Sequence, residues 1–235
     1  MTIDLSGELI PDDWAELYRA YGYTAGFYCP ADVRNAIGNL PEGEELVVEV
    51  NSVGGWVDGG AEIYSLLQGC KNPTRAVIQS MAASAASYMI MACDSIDICL
   101  PAQMMIHNAH CGSYGSKVDH RRSAAMLETT DESILSCYVA RCGDKVDREK
   151  LRQMMDAETF LTSSQAVELG LADRIVGQSQ DTGGGMLAAE ACPNIVRAMR
   201  VLPDIGKLKA LREQDQEAKD RLELEAEIGR FWGVS

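Results

Sequence analysis

"ELVVEVNSVGGWVDGGAEIYSLLQG" (45–69) and, after a Cys-Lys-Asn-Pro turn, "TRAVIQSMAASAASYMIMACD" (74–94) repeat one pattern. In the first stretch the β-branched run Leu46 to Val50 reads as a strand ending near Asn51, and "NSVGG" reads as a loop. Val57, Ala61 and Tyr64 then recur at helical spacing, and Gly69 closes the helix. In the second, "TRAVIQS" (74–80) is a strand, "MAA" a turn, and Ser84 to Cys93 a helix apolar on every side, hence buried. A strand, a loop and a helix, repeated, predict a mainly parallel sheet with both faces covered. The fold class is therefore α/β.

The same alternation extends outward. Residues 1–10 read as a strand and "PADVRNAIGNLPEG" (30–43) as a short helix with Pro at its start and a Gly/Pro stop. "SIDICLP" (95–101) and "MMIH" (104–107) are two short strands. "KVDHRRSAAMLETTDESILSCYVARC" (117–142) is a helix of about seven turns. Its apolar positions, among them Ala125, Leu127, Ile134 and Leu135, exceed what one small core needs. "DREKLRQMMD" (147–156) is a helix, "ETFLT" (158–162) an extended piece, and "SSQAVELG" (163–170) a second helix with Thr162 or Ser163 as N-cap. Residues 1–176 are expected to form the core domain, 177–187 a glycine-rich linker, and 188–235 a charged helical tail. In that tail Leu211, Ala218 and Leu222 make only a thin apolar stripe.

Composition excludes several classes. The chain has 235 residues, and 46% of them are hydrophobic, enough for a sizeable core. A formal charge of -14 argues against nucleic acid, which needs a basic footprint. The 8 cysteines form no CxxC pair and no His/Cys cluster with zinc spacing, so they read as apolar fillers in a reducing compartment, and no metal is expected. The opening "MTIDLSGELIPDD" lacks a signal peptide's apolar core, and no stretch is long enough to span a bilayer, so a cytoplasmic protein without a membrane partner is expected.

Ser84 opens the buried helix and has two readings. It is an N-cap, or it is a nucleophile placed beside the free N–H groups and positive dipole end of a helix. Gly54 and Gly55 follow the preceding parallel strand, so they emerge at the same sheet edge, where they make a tight turn or let a backbone N–H approach a substrate carbonyl. His107 closes a short apolar strand, as a structural residue or as a base. His110 and His120 read as surface residues.

The ordered set "NSVGG", "SMAASAAS", "LPAQMMIH" and "ETFLTSSQAVELGLADRI" resembles the Clp-type serine peptidases (the ClpP family) over residues 45–176. It is most similar to the ClpP-like head maturation (prohead) proteases of bacteriophages and prophages. The resemblance implies a crotonase-like spiral of strand-strand-helix units with a long projecting helix, and a serine endopeptidase working without a cofactor inside a homo-oligomeric ring. Polypeptides are the implied substrates, with capsid, scaffold or portal proteins as candidates, and an AAA+ unfoldase is a candidate partner. Ser84 matches the family's nucleophile and His107 its base, while Gly55 and Ala85 match the two backbone oxyanion donors. The family's aspartate is replaced by Glu158, with Asp156 two positions earlier as the other candidate. Glu158 is preferred because alternation along "ETF" would turn it inward together with Phe160. Val53 stands where the family usually has proline.

Four other readings compete. A bacterial degradative Clp subunit shares every motif. A crotonase-type acyl-CoA enzyme shares the fold but needs no Ser/His pair. A signal-peptide-peptidase-like enzyme with a Ser-Lys dyad calls for a membrane segment. A catalytically inactive ring or scaffold subunit has no need of Ser84, His107 and Glu158 together.

Overall fold

The computed structural model describes residues 1–177. Of the expected linker, 177–187, all but the first residue lies outside the described residues, as does the whole tail, 188–235. The described chain is mixed α/β, with a mainly parallel sheet and a long helix, as the alternation predicts. In order it forms β1 (Thr2–Leu9), α1 (Asp12–Ala20), β2 (Phe27–Tyr28), α2 (Pro30–Gly38), β3 (Leu46–Gly55), α3 (Val57–Gln68), β4 (Thr74–Ala83) and α4 (Ala85–Met89). There follow a 3-10 turn (Ile90–Ala92), β5 (Ser95–Cys99), β6 (Gln103–Ile106), α5 (Lys117–Cys142), a second 3-10 turn (Gly143–Lys145), α6 (Arg148–Asp156), β7 (Thr159–Thr162), α7 (Ser163–Leu169) and β8 (Arg174–Val176).

Two compact units divide these residues: Met1–Asn108 with Ile134 onward, and Ala109–Ser133. The first holds the whole sheet, in the order β2-β1-β3-β4-β5-β8, every pair parallel. The sheet forks at β4. Arg75 to Ile78 pair with β5, whereas Met81 to Ala83 pair with β6, and β6 in turn pairs antiparallel with β7. Consecutive burial of Ala76, Val77 and Ile78 marks β4 as covered on both faces, the property that makes parallel strands read as unbroken apolar runs. Ile134, Leu135, Tyr138 and Cys142 form the buried stripe of the C-terminal part of α5. Arg141 fixes this part by donating to Cys93 O at 2.8 Å and pairing with Asp173.

In the second unit, Ser116 and Asp119 start α5. Asp119 accepts from Ser116 N (2.8 Å) and Ser116 Oγ (2.7 Å), an N-terminal capping arrangement. Ala109 N–H donates to Asp131 at 2.6 Å, folding the preceding loop back on the helix. Among the described residues no helix is long and apolar enough to cross a membrane, and no group of His, Cys, Asp and Glu could hold a metal ion.

Local details differ from the sequence reading. The "MAA" turn is absent, because β6 gives Met81 to Ala83 a partner and carries β4 to the residue before Ser84. "NSVGG" is likewise strand to Gly55, paired with β1 through Glu8 and Leu9. The helix expected over 84–93 is α4 followed by the 3-10 turn, so it is shorter and tighter. α1 and β2 occupy a stretch to which the sequence reading assigns no element. Thr162 is the N-cap of α7, in a reciprocal capping box with Gln165.

One charged knot closes the sheet's far edge. Asp97, 2% exposed, is the register partner of Arg174 and receives both of its guanidinium bonds, at 2.7 and 2.8 Å, with Arg75 at 3.3 Å. Asp97→Asn should lower the unfolding free energy by about 1–2 kcal/mol, because hydrogen bonds to a charged group are lost while the half-exposed Arg174 returns to water. Urea denaturation followed by tryptophan fluorescence measures the change.

Candidate active site

Parallel neighbours deliver their trailing residues to one edge of a sheet. β4 and β6 are such neighbours, in a register that ends with Ala83 opposite Met105, and so Ser84 and His107 emerge side by side. Ser84 sits at φ 55, ψ -126, in a region that non-glycine residues rarely occupy and that costs about 1–3 kcal/mol unless the surroundings impose it. They do so from both sides. Ser84 N–H donates to Met105 O at 2.9 Å, and Ser84 O accepts from Ser87 N (2.9 Å) and Ser87 Oγ (2.7 Å). The side chain makes no cap bond on α4; its Oγ lies 2.7 Å from Nε2 of the half-buried His107. Geometry thus separates the two readings of this hydroxyl: it faces an imidazole, not the helix.

The glycines of β3 complete the same edge. Gly54, at φ 93, has its α-carbon against the nucleophile candidate, since a Cβ there would stand 2.7 Å from Ala83 O and 2.8 Å from Ser84 Cβ. Gly54 N–H is already used, donating to Ser52 Oγ at 3.0 Å. At Gly55 a Cβ would collide with Leu9 O, so β1 presses from the other side. Trp56 N–H donates to that same Leu9 O at 3.0 Å. Ala85 is the first residue of α4, where N–H groups have no intrahelical acceptor.

The two carboxylate candidates are not drawn in. β7 runs antiparallel to β6, with Ile106 opposite Thr159, so the next rung would set Glu158 across from His107. The ladder stops before that rung. Glu158 lies outside the strand at φ 47, its N–H closing on Met155 O at 3.1 Å, and its side chain is exposed. The expectation that Glu158 and Phe160 turn inward together is corrected: Phe160 is 58% exposed, and Leu161 is the inward residue of β7 at 3%. β7 has one covered face, and the alternation that governs strand residues does not extend to Glu158. Asp156 is exposed as well and accepts from Asn108 Nδ2 at 2.7 Å. His110 is exposed, and His120 Nδ1 lies 2.7 Å from Ser113 Oγ.

The Clp protease family matches this chain over residues 38–179. The chain belongs to the Clp protease family. The chain is 27% identical over 144 residues to the ATP-dependent Clp protease proteolytic subunit of Deinococcus radiodurans, an overlap of 60% of this chain and 70% of that protein. Clp proteases are serine peptidases that form oligomeric rings and act on polypeptides.

Around this site, several supporting residues carry no motif signal. Ser52 donates to Gly7 O at 2.6 Å, so its single proton is spent and Tyr28 OH, 2.9 Å away, must donate to it. Ser52 therefore ties β1, β2 and the Gly54 backbone to one buried oxygen. Burial pushes the Tyr28 phenol well above its ordinary range and keeps it a neutral donor. Ser87 and Tyr138 form a second buried pair, 2.7 Å apart. A serine inside a known motif and an apolar-looking tyrosine carry no sequence signal for such bonds. Burial pushes the Cys93 thiol up to about 12, so it stays protonated.

Gly54→Ala should leave a folded protein by circular dichroism, yet slow fluorophosphonate labelling of Ser84 by about a hundredfold, because the new methyl displaces Ser84 from His107. Labelling at the wild-type rate would mean that the contact tolerates that displacement.

Proposed function

We propose that this chain is a serine endopeptidase that hydrolyses peptide bonds inside a ring of identical subunits. The observation that carries the reading is the 2.7 Å contact between Ser84 Oγ, which is free of any capping duty, and His107 Nε2. In this scheme His107 is the Nδ1–H tautomer. Its Nε2 takes the Ser84 proton as Oγ attacks the scissile carbonyl, then passes that proton to the leaving amine, and water releases the acyl group by the same route. Gly55 N–H and Ala85 N–H are the proposed donors to the tetrahedral oxyanion. Glu158, exposed and one register step beyond the last β6–β7 rung, is the proposed carboxylate for the imidazolium.

Within that chemistry we propose the role of a phage or prophage head maturation protease, acting on capsid, scaffold or portal proteins, on the strength of the motif resemblance. The relative from Deinococcus radiodurans supports the second reading, a degradative Clp subunit, for which an AAA+ unfoldase would be the partner. Cleavage of a co-expressed capsid protein without an unfoldase would favour the first reading, and ATP-dependent turnover of folded substrates the second. An acyl-CoA enzyme or an inert scaffold has no use for a serine held on strained backbone against an imidazole.

Ser84→Ala should abolish casein hydrolysis and fluorophosphonate labelling while leaving fold and assembly unchanged, a loss on the order of a million-fold in turnover. Activity retained by this variant would end the peptidase reading. Glu158→Gln should cost up to about ten-thousand-fold, and Asp156→Asn little, in steady-state turnover of a peptide substrate. The reverse ranking would transfer the role to Asp156.

A further inference from the structure

Behind the Ser84 backbone runs a chain of buried hydroxyls that the reaction scheme does not use. Ser87 and Tyr138 are both fully buried; Ser87 Oγ reaches Ser84 O at 2.7 Å, and Tyr138 OH reaches Ser87 Oγ at 2.7 Å. Proton counting fixes the direction. A carbonyl only accepts, so Ser87 gives its single hydroxyl hydrogen to Ser84 O, and Tyr138 must donate to Ser87. Burial pushes the Tyr138 phenol above its ordinary range, which keeps that donor protonated.

The bonded carbonyl belongs to the peptide plane that also carries Ala85 N–H. In a trans planar peptide the C=O and N–H point in opposite directions, so a carbonyl held toward Ser87 turns Ala85 N–H the other way. Gly54 is packed against this plane: a Cβ built on it would stand 2.9 Å from Ala85 N. The plane needs holding, because Ser84 occupies a sparsely populated backbone region that persists only where its surroundings over-determine it.

We propose that Ser87 and Tyr138 are positioning residues that lock the Ser84–Ala85 peptide plane with Ala85 N–H facing the tetrahedral oxyanion, so that the C-terminal half of α5 sets the competence of the oxyanion hole. The inference rests on the peptidase reading above. Tyr138 reaches the reaction through Ser87 and the Ser84 carbonyl, and neither residue touches substrate.

The test uses the full chain and compares wild type with Tyr138→Phe, Ser87→Ala, their double variant, Leu135→Ala and Ser84→Ala. Tyr138→Phe should lower kcat for a fluorogenic peptide by about tenfold and Ser87→Ala by about a hundredfold, with KM unchanged in both, since only transition-state contacts weaken. The double variant should be no slower than Ser87→Ala, because the two hydroxyls act in series. Leu135→Ala removes buried apolar contacts from the same helix without touching a hydroxyl; it should lower the melting temperature and leave kcat, measured well below melting, near wild type. Wild-type kcat in Tyr138→Phe or Ser87→Ala overturns the inference, as does an equal kcat loss in Leu135→Ala. Should Tyr138→Phe fail to fold, the kcat of Ser87→Ala decides between the same two outcomes. A wild type that fluorophosphonate does not label, or a Ser84→Ala that stays active, overturns the peptidase reading and this inference together; a labelled wild type with unaffected hydroxyl variants overturns this inference alone.

Discussion

The pairing of β4 with two successive partners governs the rest of the structure. For its first half β4 runs beside β5, and its last three residues run beside β6. Had β5 continued as the neighbour, no strand would end beside Ser84, and the imidazole would have no scaffold. Because β6 takes over, the Met105 carbonyl is available to the Ser84 N–H, and His107 follows two residues later at bonding distance. One switch of strand partner thus supplies both the backbone strain at Ser84 and the base that the hydroxyl meets.

Strain of that kind survives only where every polar atom around it has a partner. Two buried hydroxyl pairs meet this demand beside the site. Tyr28 and Ser52 saturate the Gly7 carbonyl and the Gly54 N–H, while Tyr138 and Ser87 saturate the Ser84 carbonyl. Each pair joins a tyrosine from a distant element to a serine beside the site, and each serine spends its proton on a backbone oxygen. Buried polar networks of this kind are costly when incomplete and rigid when complete. The remaining demand falls on glycine: a side chain at Gly54 would strike Ser84, and one at Gly55 would strike β1.

Two carboxylates of the sheet's other edge are matched by arginines. Asp97, the buried carboxylate of β5, is matched by Arg174 and Arg75, and Arg75 also pairs with Glu45. Asp173 is matched by Arg141 and accepts from Ile96 N–H at 2.6 Å. These pairs hold β8 and the end of α5 to the sheet.

Sequence alone determined the class of fold, because the alternation of apolar β-branched runs with helical segments is a local property: Leu46 to Val50 and Thr74 to Ile78 are the strands it marks, and 117–142 the long helix. It also determined the ordered motifs that hold Ser84 and His107, since chemistry of that kind is written in residue types and their spacing. Where β3 and β4 end was decided by partners distant in the chain, β1 for Gly54 and Gly55 and β6 for Met81 to Ala83, and a pairing made across the fold leaves no local trace. Glu158 escaped the alternation assigned to it because the strand begins one residue later, a boundary set by the ladder with β6. The roles of Ser52, Tyr28, Ser87 and Tyr138 were decided by tertiary structure alone, for a hydroxyl's duty depends on which backbone carbonyl the fold brings within 3 Å of it.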